Sequence, residues 1–164
     1  MTEPLRDLIA RYAQPGRVDW IGLRPERYAP VVQVGNAFAK DRGLDGDHGA
    51  SEKRAVTLVQ AEHLAAIGSV MGRGPVAAAD PRRNLVVSGL NLAALKGRKV
   101  RIGQAVLEIT GICAPCSRME KALGPGGYSA VRGHGGWCAR VVAPGEISVG
   151  SIVEPLTSDA LHSF

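Results

Sequence analysis

Residues 100–120, VRIGQAVLEITGICAPCSRME, contain two strand-like runs, a tight turn and the start of a helix. The runs 100–102 and 105–109 are rich in β-branched and apolar residues, which favours strands. Gly103-Gln104 between them predicts a hairpin turn, because glycine supplies the positive φ of a type II′ connection. Pro115 then interrupts regular structure. This stretch therefore predicts a β-hairpin that leads directly into a helix.

The thiol of Cys116 lies at this junction between strand and helix. Ser117 and Glu120 fit a capping box, so we expect a short helix that begins just after Cys116 and ends near Gly124. The unpaired amide groups and the positive dipole end of that helix favour a thiolate, and Arg118 adds a cation nearby. Cys116 is therefore the first candidate for a reactive residue.

Short strand-like runs, separated by frequent glycine and proline, continue outward from the hairpin in both directions. Besides the two runs above, they cover residues 18–23, 31–34, 85–87, 139–142 and 147–149. Many short strands with close turns predict a mainly β fold, either a barrel or a sandwich. Apolar residues at helical spacing predict a few short helices over residues 4–13, 57–71 (with Thr57 and Gln60 as a capping box) and 91–96.

The composition is that of one globular domain: 164 residues, of which 45% are hydrophobic and 21% charged. We expect residues 1–16 to form a helical arm packed on the body, residues 17–155 to form the domain, and residues 156–164 to form a tail. No apolar run is long enough to span a bilayer, and the N-terminus lacks the features of a signal peptide. The sequence therefore predicts a cytoplasmic protein that does not contact membranes.

The charge of the chain favours an anionic ligand, substrate or partner. The formal net charge is +5 and the pI is about 9.4. Only 4% of the residues are aromatic, and no basic run is interleaved with stacking side chains. Nucleic-acid binding is therefore not expected. The alternative to an anion site is a solvated basic surface.

Three further chain segments, rich in polar residues and glycine, contain candidate binding or catalytic residues. The two aspartates and His48 of residues 43–48 are able to bind a metal or orient a water, although turn chemistry alone explains such a segment. Residues 82–84, Arg-Arg-Asn, offer donors for phosphate or carboxylate; surface arginines are the alternative. Residues 132–136, Arg-Gly-His-Gly-Gly, would let the backbone approach a ligand closely or would form a flexible loop.

The cysteines allow two other interpretations. Cys113, Cys116, His134 and Cys138 approximate a four-ligand zinc pattern. A chain of this length does not need a metal to fold, however, and Cys138 suits a buried, reduced thiol in a strand. Cys113 and Cys116 also have the spacing of a thioredoxin-like redox pair, but the alternating βαβ pattern of that fold is absent.

Taken together, six segments of the sequence resemble the MOSC domain, the C-terminal module of molybdenum cofactor sulfurases, in its small stand-alone bacterial form. The resemblance covers about residues 17–155 and rests on segments 43–48, 54–58, 82–92, 110–120, 132–136 and 147–150. It implies a MOSC-type β-barrel with a few short peripheral helices, a basic and polar cleft, and a key cysteine that carries sulfur or ligates molybdenum. Relatives that bind molybdenum cofactor reduce N-hydroxylated compounds. The pyridoxal phosphate of the sulfurases belongs to a separate domain and is not expected in this chain.

Carried onto this sequence, the resemblance makes Cys116 the molybdenum ligand and catalytic thiol, with Cys113 and His134 as further catalytic candidates. The side chains expected to contact the pterin phosphate or an oxyanion are His48, Arg54, Arg82, Arg83, Asn84 and Arg132. A soft thiolate suits high-valent molybdenum, and arginine suits phosphate. Electrons or sulfur would have to come from separate proteins, an electron donor or a cysteine desulfurase.

Three functions follow from these observations. The leading hypothesis is a molybdenum-cofactor-binding oxidoreductase that reduces N-hydroxylated compounds. The second is a sulfur carrier in which Cys116 holds a persulfide for transfer to a metal centre or another acceptor. The third is a zinc-stabilised, non-enzymatic module that needs all three cysteines and His134 to fold.

Overall fold

The computed structural model describes residues 2–157, within which eleven strands and four helices form a mainly β domain. The strands are β1 (Gly16–Leu23), β2 (Val32–Val34), β3 (Asn36–Lys40), β4 (Gly43–Leu44), β5 (Val56–Gln60), β6 (Leu85–Ser88), β7 (Lys99–Ile102), β8 (Ala105–Ile112), β9 (Trp137–Ala143), β10 (Gly145–Ser148) and β11 (Ile152–Pro155). The helices are α1 (Leu5–Ala10), α2 (Ala61–Val70), α3 (Ser117–Leu123) and α4 (Gly127–Val131). From residue 158 on, the predicted tail 156–164 lies outside the described residues.

Seven strands close into a barrel in the order β1, β6, β5, β9, β8, β7 and β11, with β11 pairing back onto β1. Strand β2 extends the sheet beside β1. The interior is filled by the larger of two apolar clusters, in which Ile21, Leu58, Leu107 and Ile109 are fully buried. Closure of the barrel removes the exposed edges of those seven strands. The mainly β barrel predicted from the sequence is confirmed.

The pair β5–β6 is parallel, and α2 is the crossover between the two strands. The helix predicted over residues 57–71 is therefore wrong at its start, because Val56–Gln60 is a strand. The four residues from Val56 to Val59 are all buried, as is typical of a parallel strand covered on both faces. Gln60 does not cap the helix; its Oε1 accepts a hydrogen bond from the Leu92 amide at 3.1 Å.

A smaller sheet, β10–β3–β4, packs on the barrel. Ala37 and Ala39 of β3 and Ile147 of β10 turn inward and join the barrel core. Strands β3, β4 and β11 were not predicted from the sequence. Strand β3 reads Asn-Ala-Phe-Ala-Lys, in which Phe38 is the one residue that favours a strand, so propensity gives only a weak sign of it.

The hairpin in residues 100–112 and the helix that follows are confirmed. Ile102 pairs with Ala105 across the turn, and Gly103 has a φ of 60°. Helix α3 begins directly after Cys116, as predicted, but the capping box does not form. Glu120 instead accepts hydrogen bonds from the amides of Gly126 (3.1 Å) and Tyr128 (3.0 Å), and so joins α3 to α4.

A second, smaller apolar cluster holds the helices together. It contains Ile67 of α2, Met119 and Leu123 of α3, and Val131 of α4. Met119 is only 1% exposed. Because Cys116 immediately precedes α3, this cluster fixes the position of that thiol relative to the barrel.

The predicted N-terminal arm does form a helix, α1, but its apolar side chains are not packed on the body as expected. Leu5, Leu8 and Ile9 are 71%, 48% and 64% exposed. A hydrogen bond from Arg98 to the Ala10 carbonyl, at 3.3 Å, links the arm to the domain. No helix in the described part of the chain has the length and apolar content needed to cross a membrane.

Candidate functional site

A cleft forms where four chain segments meet: the residues after β1, those before β5, those before β6, and those after β8. It has two adjoining parts. The arginine pocket, of about 310 Å³, is lined by Arg24, Arg27, Tyr28, Arg82, Arg118 and Cys116 among others. The thiol pocket, of about 350 Å³, is lined by Arg54, Thr57, Arg83, Cys113, Cys116 and Cys138 among others. Arg24, His48, Arg83 and Cys116 border both parts, so the two pockets form one cleft.

Asn84 lies fully buried beneath the cleft and connects three of these segments. Its side-chain nitrogen donates to the Gly22 carbonyl (3.0 Å) and to Asp47 Oδ1 (3.1 Å), and its Oδ1 accepts from the amide (3.1 Å) and hydroxyl (3.2 Å) of Thr57. Its own amide donates to Thr57 Oγ1 at 3.0 Å. Asn84 was predicted to contact a cofactor; its place below the surface instead gives it the role of holding β1, β5 and the Asp47 loop together.

Asp47 and Arg24 form the best-buried ion pair of the site. The Asp47 side chain is 0% exposed and accepts three hydrogen bonds from Arg24, from its backbone amide at 2.7 Å and from its guanidinium at 3.1 and 2.9 Å. Burial alone would raise the pKa of Asp47, but the hydrogen bonds from Arg24 outweigh it and hold the pKa below its usual value. The metal or water-orienting role considered for this aspartate is therefore replaced by a structural one: Asp47 fixes Arg24 in the wall of the cleft.

Arg83 is 6% exposed and holds the loop that carries the thiols. Its Nε donates to the Gly135 carbonyl at 2.7 Å, and its Nη2 donates to the carbonyls of Cys113 (3.2 Å) and Ala114 (3.1 Å). The guanidinium thus places a positive charge directly behind the thiol pocket while it positions residues 113–114.

Arg82 and Tyr28 form a strained rim on the arginine pocket. Within residues 2–157 they are the non-glycine residues with positive φ, at 57° and 74°. Arg82 donates to the Ala29 carbonyl at 2.7 Å, and the Tyr28 ring lies 4.4 Å from the Arg118 guanidinium and 5.0 Å from that of Arg27. Burial, followed by repulsion from Arg118 and Arg24, lowers the pKa of Arg82. The rim is therefore a cluster of cations that an anionic ligand would neutralise.

His48 borders both pockets, with one ring nitrogen already engaged. Its Nδ1 lies 2.8 Å from the Arg24 carbonyl oxygen. A carbonyl oxygen can only accept, so Nδ1 carries the proton and Nε2 is the nitrogen left for a ligand in the cleft.

Cys113 and Cys138 both line the thiol pocket, where a hydrogen bond from the Cys138 thiol favours the Cys113 thiolate. That hydrogen bond lowers the pKa of Cys113 to about 6, against the effect of burial and with help from the charges of Arg83, Arg24 and Arg54. The same hydrogen bond, together with burial, raises the pKa of Cys138. Cys138 is buried in a strand as expected, and it also interacts with Cys113.

Cys116 is exposed and lies at the contact between the two pockets. Its carbonyl accepts a hydrogen bond from the Met119 amide at 2.9 Å, which is the first turn of α3. The most accessible thiol of the cleft is thus the one that the sequence singled out.

Two of the predicted site residues, His134 and Arg132, lie outside the cleft. His134 faces α2, with its ring 4.8 Å from that of His63, and its Nδ1 has no hydrogen-bond partner within residues 2–157. Burial, followed by the neighbouring His134, lowers the pKa of His63. Arg132 is exposed and borders neither pocket.

The zinc interpretation fails on the same geometry. His134 packs on α2 while the cysteines surround the thiol pocket. Across the described residues, no group of three or more His, Cys, Asp or Glu side chains is arranged to hold a metal ion.

The glycines of residues 132–136 serve the fold rather than a ligand. A Cβ on Gly136, which has a φ of 94°, would overlap the Leu58 carbonyl oxygen. A Cβ on Gly135 would lie 2.9 Å from the Cys113 carbonyl oxygen. These glycines let the loop pass close to β5 and to the thiol-bearing segment, and that approach exposes the Gly135 carbonyl to Arg83.

Sequence reasoning did not single out Arg24, Arg27 and Tyr28. The signal was weak: two arginines within Arg24-Pro-Glu-Arg-Tyr28 directly after a strand. Only the barrel, in which the end of β1 lies beside the start of β6, brings this segment next to residues 82–84.

Comparison with solved structures supports this fold. The YUAD protein from Bacillus subtilis superposes with a TM-score of 0.77 at 17% identity, covering 87% of this chain and 96% of that one. YiiM from Geobacillus stearothermophilus gives 0.73 at 19% identity, covering 87% and 76% of the two chains. YiiM from Escherichia coli gives 0.66 at 23% identity, covering 86% and 70%.

Comparison of sequences identifies the family. No curated protein is significantly similar to the chain in sequence. The model of the MOSC domain matches residues 45–154, which is more than half of the chain and runs from the loop before β5 into β11, with both cysteines of the thiol-bearing loop. With a seven-stranded barrel and a cleft that joins arginines to thiols, the chain belongs to the MOSC domain family.

Proposed function

We propose that the chain binds the molybdenum cofactor in the cleft, with Cys116 as the metal ligand, and acts as an oxidoreductase that reduces N-hydroxylated compounds. The observation that carries this proposal is that an exposed thiol and an array of arginines border one continuous cleft. Its basis in the family is the MOSC match.

The donor set of the cleft fits the chemistry of the cofactor. The pterin carries a phosphate, for which guanidinium groups are the best-suited donors. Arg82 and Arg118 repel each other in the arginine pocket, and a dianion between them would relieve that repulsion. A cysteine thiolate suits a high-valent molybdenum ion. We therefore expect the phosphate on the arginine side and the metal beside Cys116.

The cofactor, when bound, supplies the two electrons that reduce the N–O bond. The chain itself supplies position and charge: Asp47 fixes Arg24, and Arg83 fixes the Cys113 segment. His48 presents Nε2 to the cleft, where it can hydrogen-bond an N-hydroxyl group. Two other residues predicted to bind the cofactor add positive charge: Arg54 in the thiol pocket and Arg82 in the arginine pocket.

Metal retention tests the proposal. The protein is produced in a molybdate-supplied host that makes the cofactor and is purified without oxygen, and molybdenum per chain is measured by mass spectrometry. We expect near-stoichiometric metal in the wild type, loss of metal in Cys116→Ala with an unchanged melting temperature, and reduction of an N-hydroxylated base by reduced viologen in the wild type alone. Arg132→Ala, outside the cleft, is the matched control for Arg82→Ala, which we expect to lower cofactor retention at least about tenfold. Full metal and activity in Cys116→Ala would refute the proposal.

A sulfur carrier is the second candidate function, because Cys113, a thiol whose pKa is lowered, lies in the same cleft as Cys116. In this case Cys116 holds a persulfide delivered by a cysteine desulfurase. Incubation with a desulfurase and cysteine should add one sulfur atom to Cys116, removable by dithiothreitol. A chain that stays free of added sulfur under these conditions argues against the carrier.

A further inference from the structure

The placement of Cys113 beside Cys138 is set by the strand pairing of the barrel and does not depend on any cofactor. In the β8–β9 ladder, Gly111 pairs with Cys138 and Ile112 with Trp137, and the Cys113 amide continues the ladder by donating to the Gly136 carbonyl at 2.9 Å. Cys113 is therefore the diagonal neighbour of Cys138 on the same face of the two strands. Both side chains also line the thiol pocket, so the strand register and the pocket bring the two thiols to the same place.

The surroundings of this pair favour a thiolate that small oxidants can reach. Both sulfurs border the thiol pocket, and Cys113 is partly exposed to it. The charges of Arg83, Arg24 and Arg54 act on Cys113. The low pKa of Cys113 keeps it ionised near neutral pH while Cys138 keeps its proton. One partner is therefore the nucleophile and the other the hydrogen-bond donor.

We propose that Cys113 and Cys138 form a peroxide-reactive pair, in which hydroperoxide oxidises Cys113 and Cys138 then resolves it as an intramolecular disulfide.

The chemistry balances with hydrogen peroxide as the oxidant. The Cys113 thiolate attacks one peroxide oxygen, the O–O bond breaks, and the products are a Cys113 sulfenic acid and hydroxide. The Cys138 sulfur then attacks the sulfenic sulfur, the S–O bond breaks, and one water leaves with the proton of Cys138. The two sulfurs together lose two electrons, which reduce the peroxide. An external dithiol restores both thiols by exchange.

Cys116 is the competing partner for Cys113, but the geometry favours Cys138. Cys138 shares a face of the β8–β9 ladder with Cys113, whereas Cys116 lies beyond the ladder, at the start of α3. Cys116 is tied to the first turn of α3, which the small apolar cluster anchors through Met119. A disulfide between Cys113 and Cys116, which have the spacing of a Cys-x-x-Cys redox pair, is therefore the outcome against which the proposal is tested.

Peptide mapping distinguishes the two disulfides. Trypsin cuts after lysine and arginine, so Cys113 and Cys116 fall in peptide 102–118 and Cys138 falls in peptide 133–140. The reduced protein is treated with equimolar hydrogen peroxide, blocked with iodoacetamide and digested without reductant. We expect the two peptides to be joined, with Cys116 alkylated. A disulfide between Cys113 and Cys116 would instead stay within peptide 102–118.

Variants assign the sulfurs. We expect the cross-linked peptides to persist in Cys116→Ser and to disappear in Cys113→Ser. Cys138→Ser keeps a hydroxyl donor beside Cys113, so it should still react with peroxide but stop at the sulfenic acid, which dimedone traps. At pH 7 we expect Cys113 to react about two- to threefold faster than a cysteine of ordinary pKa, because its larger thiolate fraction outweighs its lower intrinsic nucleophilicity.

Two results would overturn the proposal. One is a cross-link lost in Cys116→Ser and kept in Cys113→Ser, because Cys116 would then be the partner of Cys138. The other is a wild-type chain in which peroxide oxidises Cys116 while Cys113 and Cys138 remain free. Circular dichroism of each variant guards against loss of the fold as the cause, and because these tests require no molybdenum, they are separate from those of the proposed function.

Discussion

At the scale of single residues, the site depends on how buried polar groups are paired. Cys116 has the accessible thiol, but the thiol whose acidity the fold changes most clearly is Cys113, three residues earlier. The cause is tertiary: the donor, Cys138, is on another strand, and Arg24, Arg54 and Arg83 come from three further segments. The sequence could place Cys116 because a helix start is local; it could not anticipate a hydrogen bond between residues 113 and 138.

The acidity of Cys113 predicts a pH dependence. In Cys116→Ser, the rate of alkylation at Cys113 should follow a titration near pH 6 and should shift upward in Cys138→Ala, which removes the hydrogen bond. Because the folded pKa of Cys113 lies below the unfolded value of about 8.5, its contribution to stability is lost as pH falls through about 6. The raised pKa of Cys138 acts in the opposite sense above about 8.5, so the pair stabilises the fold most between these two pH values. Peptide-resolved iodoacetamide kinetics measure the shift; identical profiles with and without Cys138 would contradict it.

Removing the Asn84 side chain should greatly lower the free energy of unfolding. Asn84→Ala leaves the Gly22 carbonyl and the Thr57 amide without their partner inside the protein, and we expect a cost of about 2 to 4 kcal/mol. Asn91→Ala is the control: it removes one exposed hydrogen bond, from the Ala93 amide, that caps the 3-10 helix Leu92–Leu95, and should cost about 1 kcal/mol. Urea unfolding at pH 7 compares the two; equal losses would mean that Asn84 is not the central connection of the site.

At the scale of elements, local patterns predicted the hairpin and α3 correctly and failed where burial decides. Residues 57–60 fit a helical stripe, yet they form β5 because both faces of that strand are covered. Residues 132–136 looked suited to a ligand because glycine permits close approach. The approach is real, but the neighbour is the backbone of β5, and no local signal distinguishes a ligand from another strand.

Two glycine substitutions in the loop of residues 132–136 should differ in their effect on stability. Gly136→Ala should prevent correct folding or cost more than about 3 kcal/mol, because the new Cβ meets the Leu58 carbonyl at a φ of 94°. Gly133→Ala also has a positive φ, of 82°, but open space around the Cβ, and should cost only about 1 kcal/mol. Soluble yield and thermal melting separate the two. Similar behaviour of both variants would show that strain in φ, rather than contact with β5, is the reason for glycine.

At the scale of the whole molecule, barrel closure assembles a cleft that no single segment contains. The end of β1 carries Arg24, the start of β6 follows Arg82 and Arg83, and the end of β8 leads to the thiols. Motifs before β5, before β6 and after β8 were recognisable in the sequence. The predicted residues that border the cleft come from these motifs: His48, Arg54, Arg82, Arg83, Cys113 and Cys116. Arg27 and Tyr28 carry no motif, and they enter the site only through the antiparallel pairing of β1 with β6.

Closure itself depends on a short seam, where β11 pairs with β1 through Val153 with Gly16 and Ile152 with Arg17. Val153 is fully buried, whereas Ile152 is 56% exposed. Val153→Ala should therefore cost about 2 kcal/mol of unfolding free energy, and Ile152→Ala, one residue away, no more than about 0.5 kcal/mol. In Val153→Ala we also expect faster hydrogen exchange at the Val18 amide, which donates to the Ser151 carbonyl at 2.9 Å across the seam. If both variants unfold at the same urea concentration and the Val18 amide stays protected, the pairing of β11 with β1 does not limit the stability of the barrel. The cleft would then be held in place by the pairing of β1 with β6 instead.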